Sequence, residues 1–287
     1  MPDFSNLPNV PSWLYFMRLL PTKFKGKMRI ARWLIHKVLK DGPYKMEVDG
    51  LIYAVPSVRE PVAENLIAHG IYEPKLCKAM RQVLEVDSVL LDVGANIGSI
   101  AFYASRCLCP EGRVLAFEAS PQIYEYLKFN VSNNPQKALE VKHRAVTAKG
   151  GEEVIFYNAP KIKFGMGSLQ NRFDSEGVYV STIKLDDVVI EYGLDHVDAI
   201  KVDVEGFELG VFQGAENLLS QIPAPVVFFE FNDWAEDRPD YGVRAGDAQK
   251  YLLKLGYRLQ NMDDFLTGKQ PSTEVNYSGS ADLVGIK

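Results

Sequence analysis

The chain has 287 residues, 47% apolar and 24% charged, which excludes a disordered chain and gives enough length for a substantial core. Its net charge of −5 argues against a general nucleic-acid binder, and none is expected as a partner. Cys77, Cys107 and Cys109 form neither a paired framework nor a zinc-ligand spacing, so buried thiols in a reducing, cytoplasmic setting are expected.

Residues 1–45 hold nine lysines and arginines against Asp3 and Asp41, a local charge of +7 that leaves −12 for the remainder. Trp13, Phe16, Met17 and Leu20 form one amphipathic stripe. Ile30, Trp33, Leu34 and Val38 form a second, with basic residues between. Pro8, Pro11 and Pro21 break the apolar stretches, so no signal-peptide layout or bilayer-spanning run is expected. This segment reads as a basic amphipathic helical extension, either a solvated face or a contact for an anionic surface. Residues 46–287 read as the main domain. It opens with a hairpin turning at Asp49-Gly50 and a helix after Glu73-Pro74.

From residue 88 strands and helices alternate. Val89–Val93 is a continuous apolar run, as for a strand buried on both faces. Arg113–Glu118 is the next strand. Ser120 caps a helix that starts at Pro121 and stops at Asn133-Asn134-Pro135. Leu139–Val146 reads as a third strand. Near residues 150–183 the rhythm breaks into an inserted hairpin, with a Gly165–Ser168 loop placed to overhang a site. Strands at 198–204 and 225–231 follow, each with a helix after it. Two strands, at 257–259 and 283–286, close the chain. This alternation implies an α/β domain with a mostly parallel sheet covered on both faces.

Four constellations gather at the carboxyl edge of that sheet, where such folds bind ligands. Asp92-Val-Gly94-Ala-Asn96-Ile-Gly98 joins a strand to a helix. It lacks the middle glycine that admits a pyrophosphate, which suits a phosphate-free nucleoside cofactor such as S-adenosylmethionine. Glu118 ends the next strand, 26 residues after Asp92. A carboxylate there can accept hydrogen bonds from ribose hydroxyls. In Lys201-Val-Asp203-Val-Glu205-Gly206-Phe-Glu208, strand alternation predicts that Lys201, Asp203 and Glu205 share a face. Those carboxylates could deprotonate a hydroxyl or hold a divalent metal that lowers its pKa. Glu208 reads as structural. Glu230, with Asn232, closes the strand after, and Asp186 and Asp187 are weaker candidates. His143 reads as an edge histidine, and His36, His69 and His196 show no metal spacing.

Asp92–Gly98, Phe117-Glu118-Ala-Ser-Pro121, Asn130, Leu185-Asp186, Ile200–Glu208, Gly214-Ala215 and Phe229-Glu230 stand in an order and spacing that resembles the FkbM-type methyltransferases. Gly70–Pro74 resembles the segment that precedes that domain. The resemblance covers roughly residues 45–260. The usual Glu-Pro after the second strand reads Glu118-Ala119 here. It implies a class I methyltransferase (Rossmann-like) fold, with a mostly parallel seven-stranded sheet whose last strand is antiparallel. It also implies S-adenosylmethionine-dependent O-methylation of a hydroxyl on a sugar, glycan or secondary metabolite. Asp92, Gly94, Asn96, Gly98, Glu118 and Asp203 are then the cofactor-binding candidates, and Asp203, Glu205 and Glu230 the catalytic ones. Alternatives are an NAD-dependent oxidoreductase, a non-catalytic protein docking to a membrane or glycolipid through residues 1–45, and a homo-oligomer built through that segment.

Overall fold

The computed structural model describes residues 3–21, 24–108, 111–136 and 138–287; Lys23 and Cys109 lie outside them. Seven strands form the main sheet: β1 (Val89–Val93), β2 (Arg113–Glu118), β3 (Leu139–His143), β4 (Ala199–Val202), β5 (Val226–Asn232), β6 (Arg258–Asn261) and β7 (Ser280–Ile286). Their spatial order is β6-β7-β5-β4-β1-β2-β3. The five from β5 to β3 run parallel, while β7 runs antiparallel to β5 and β6. The order reverses between β1 and β4, which opens a crevice at their carboxyl ends.

Sequence alternation sorts the core onto two faces. Leu90, Val114 and Ala116 pack on one side of the sheet, and Leu91, Val93 and Leu115 on the other. Every residue of β1 is buried. Fully burying a leucine such as Leu90 or Leu91 contributes roughly 1.5–3 kcal/mol.

The predicted third strand divides. Leu139–His143 stays in the main sheet as β3, while Ala145-Val146 joins a smaller sheet beside Gly177–Ile183. Arg144 sits at the break, its N–H donating to the Glu118 carbonyl as the chain leaves β2. Ala145 and Val146 continue the apolar pattern, so alternation alone does not show the change of sheet. Glu153–Tyr157 pairs antiparallel with Gly177–Ile183.

Residues 13–40 resolve into a 3-10 helix, Ser12–Leu19, and an α-helix, α1 (Lys27–Val38). Both pack against α2 (Pro61–His69) through Met17, Ala31 and Ala68. The Glu60 carboxylate caps α2 by accepting from the Val62 N–H at 2.7 Å, Pro61 fills its first turn, and Gly70 at φ +75 ends it. The hairpin Tyr44–Val48/Leu51–Val55 turns through Asp49 and Gly50, both at positive φ. Asn130 accepts from the Ala54 N–H at 2.6 Å and donates to Ile97 O at 3.0 Å, joining this hairpin to the turn after β1. No described helix is long and apolar enough to cross a membrane.

Candidate active site

The chain turns at once where β1 ends. The Gly94 and Ala95 N–H groups both donate to the Phe117 carbonyl at 2.9 Å. Gly94 has φ +77, and a Cβ there would be driven into the Asp203 carbonyl oxygen. Glycine therefore lets the ends of β1 and β4 approach this closely. Asn96 takes φ +54, and its N–H donates to Glu118 Oε2 at 2.8 Å. Ser120 N–H donates to Glu118 Oε1 at 2.7 Å. Each carboxylate oxygen keeps a free lone pair. Burial pushes the Glu118 carboxyl up to about 7, opposed by those two N–H groups and by Lys201.

Gly94, Asn96, Glu118 and Asp203 line one cavity. Phe117, Ala145, Val146 and Phe156 form its apolar wall, and Phe164, Gly167 and Ser168 of the insert reach over it. Two predicted cofactor residues stand off this wall. Asp92 is fully buried and faces Lys201, its partner in register across β1 and β4. Gly98 makes room for Leu127 and Phe102 instead.

Strand β4 stops at Val202, so Asp203 and Glu205 sit in a loop and do not share a strand face. The loop brings them together by another route. Glu205 and Gly206 take φ +55 and +92, and a Cβ on Gly206 would strike the Ala235 carbonyl. Buried Glu208 accepts from the Val204 and Gly206 N–H groups at 3.3 and 3.2 Å. One carboxylate oxygen each of Asp203, Glu205 and Glu230 then lies within 4.8 Å of the others. Burial, with the charges of Asp203 and Glu230, pushes Glu205 up to about 8. Burial and Asp203 push Glu230 up to about 7.

Lys201 balances this acidity. Its ammonium donates to Gly94 O at 2.8 Å and lies 3.4 Å from Asp92 and 3.5 Å from Asp203. Burial disfavours the charge, but the Asp92 and Asp203 carboxylates outweigh it and hold Lys201 above its ordinary value.

A second cavity opens across the cluster, beside the start of α3 (Pro74–Val83). Glu73, Glu230 and Asp282 supply acceptors, Lys75 and Lys201 donors, and Phe228 and Met262 an apolar floor. Asp203 lines both cavities. Three residues here were not singled out in the sequence. Glu73, at φ +46, stood only within the Gly70–Pro74 resemblance. Asp282 faces Glu230 across β5 and β7. Arg172, from the insert, donates to Glu205 O at 2.7 Å, to Ala235 O at 3.1 Å and to Glu205 Oε2 at 3.4 Å, and stacks on Trp234. Asp186 instead caps Glu216–Ser220, accepting from Asn217 and Leu218 N–H. His143 stacks on Tyr124 outside the cavity wall.

The mostly parallel seven-stranded sheet with its antiparallel β7, and a glycine turn at its carboxyl edge, are those of a class I S-adenosylmethionine-dependent methyltransferase. Residues 92–259, more than half of the chain, match the methyltransferase FkbM domain, and the chain belongs to that family. It is similar to the hexuronic acid methyltransferase AglP of Haloferax volcanii, with 29% identity over 87% of this chain and 98% of that protein. It is also similar to the 2-O-methyltransferase NoeI of Sinorhizobium fredii, with 28% identity over 58% of this chain and 74% of that one. Among solved structures, the O-methyltransferase TomG of Streptomyces achromogenes superposes with a TM-score of 0.40 and 15% identity, over 74% of this chain and 78% of that one.

Proposed function

We propose that the enzyme methylates a hydroxyl of a sugar, free or within a glycan or secondary metabolite. The observation that carries this is the acidic partition: Asp203, Glu205 and Glu230 converge between the cavity beside Gly94 and Glu118 and a second cavity rich in hydrogen-bond acceptors. Carboxylates suit the vicinal hydroxyls of a sugar, and an apolar floor suits a pyranose face. The relatives named for a hexuronic acid and for 2-O-methylation support the same acceptor class.

S-adenosylmethionine, when bound, supplies an electrophilic methyl group. The free lone pairs of Glu118 would accept from its ribose hydroxyls, and the apolar wall of Ala145, Val146 and Phe156 would hold its base. Asp203 orients the acceptor hydroxyl from the shared wall. Glu205, pushed up to about 8, is matched to general-base work near neutral pH. It takes the hydroxyl proton and leaves the oxygen's electron pair to bond the methyl carbon, whose bond to sulfur breaks with its electrons returning to the sulfur of S-adenosylhomocysteine. The three carboxylates also form an all-oxygen donor set that fits a hard divalent cation, which would acidify the hydroxyl instead.

The test measures S-adenosylhomocysteine release with a panel of hexuronides and neutral hexosides. Glu205→Gln should slow release by about 100-fold or more while leaving S-adenosylmethionine affinity intact. Release with no sugar acceptor overturns the acceptor class, and a fully active Glu205→Gln removes the base. Activity lost to a chelator and restored by magnesium or manganese supports the metal route.

A further inference from the structure

The basic N-terminal layer plays no part in the chemistry above, yet its outer surface is unusual. In the Ser12–Leu19 3-10 helix, residues three apart eclipse one another. Leu14 and Met17 are buried, so Trp13, Phe16 and Leu19 align on the opposite edge, 51%, 43% and 87% exposed. Helix α1 repeats the arrangement at its own period. Ala31 and Ile35 face inward, while Ile30 and Trp33 point out, 41% and 58% exposed. Both elements bury their inner stripe toward α2, so both outer stripes face away from the body of the protein. Scattered exposed apolar residues are ordinary; two aligned stripes containing two tryptophans are not.

Cations border these stripes. Lys25, Arg29, Lys37 and Lys40 are exposed and make no ion pair among the described residues. The Lys37 ammonium lies 4.9 Å over the Trp33 ring. Arg32 and His36 are committed elsewhere, both to Glu64 of α2 at 2.9 Å, which fixes the face that α1 presents.

We propose that this layer docks the enzyme on an anionic lipid bilayer. Aromatic and aliphatic side chains beside lysine and arginine suit the headgroup boundary, where rings insert shallowly and cations meet lipid phosphates. The charge distribution selects this occupant. A segment of +7 on a body of −12 is drawn to an anionic surface by one end only. A second copy seated on the same face by two-fold symmetry would bring two +7 segments together.

The experiment uses the full chain with vesicles of phosphatidylcholine, with and without roughly a quarter of phosphatidylglycerol. Co-sedimentation should favour the anionic vesicles by at least about tenfold and weaken in high salt. Trp13→Ser/Trp33→Ser and, separately, Arg29→Gln/Lys37→Gln should each cut binding by at least about tenfold. Both should keep S-adenosylmethionine binding by calorimetry, which shows the fold intact. Equal binding to both vesicle types overturns the proposal. So does undiminished binding by both variants, or a dimer in solution that the tryptophan variant converts to monomer.

Discussion

The role proposed for Glu118 joins cofactor recognition to protonation. Its carboxyl is buried and pushed up to about 7, and only the ionised form offers an acceptor on both oxygens to a pair of ribose hydroxyls beside the two N–H groups it already holds. S-adenosylmethionine affinity should therefore rise with pH from about 6 to about 8 and level off above. Glu118→Gln should bind at least about tenfold more weakly, with no such rise. Calorimetry across that range checks both, and a pH-independent wild type would remove Glu118 from the ribose site. Its place in the cavity was legible in sequence because a charge closing an apolar strand falls at the ligand edge. Asp92 followed the same rule but, lying one residue deeper, meets Lys201 instead of the cavity. Arg172 carried no local signal. Its role depends on the insert folding back onto a loop 33 residues away.

That insert acts as an element, not as a cover alone. The Gly177–Ile183 strand anchors it, and Arg172 ties it to the Glu205 carbonyl and to Ala235 O. Glu205 holds a left-handed conformation that asparagine and glycine adopt more readily, so its geometry depends on these ties. Arg172→Gln should cut the transfer rate by about tenfold to 100-fold and change S-adenosylmethionine affinity little. Arg172→Lys should recover little, because one ammonium cannot span three acceptors in a fixed fork. Steady-state kinetics with the acceptor varied would show this as a fall in kcat, and unaltered kcat in both variants would sink the idea. At this scale the parallel core was the most readable part, because strands buried on both faces leave continuous apolar runs. The end of β4 was not: Asp203 and Val204 keep the strand pattern while the backbone has already left the sheet.

Six carboxyls stand in or near the two cavities: Glu60, Glu118 and Glu208 are buried, and Glu73, Glu205 and Glu230 half-buried. Burial is the first cause of each upward shift, to about 8 for Glu205 and about 7 for the others, from an ordinary 4.5. Between those values the folded protein binds more protons than the unfolded chain. Stability therefore falls as pH rises through that window. Lys201 does not offset this, because its stabilisation is already fully present below the ordinary lysine value of 10.5. On these groups the ligand-free protein should have a clearly higher Tm near pH 5 than near pH 8, with the fall running through the whole interval. S-adenosylmethionine binds only the folded state, and at about 100 times its Kd it should return roughly 2.7 kcal/mol. At one fixed S-adenosylmethionine concentration, the proposed role of ionised Glu118 at the ribose makes this gain larger at pH 8 than at pH 6. Calorimetric melting curves with and without S-adenosylmethionine across this range measure both trends. A ligand-free Tm that stays level or climbs toward pH 8 would mean that the acidic edge is solvated or cation-bound in solution. In that case the metal route for Asp203, Glu205 and Glu230 would take precedence over the protein base.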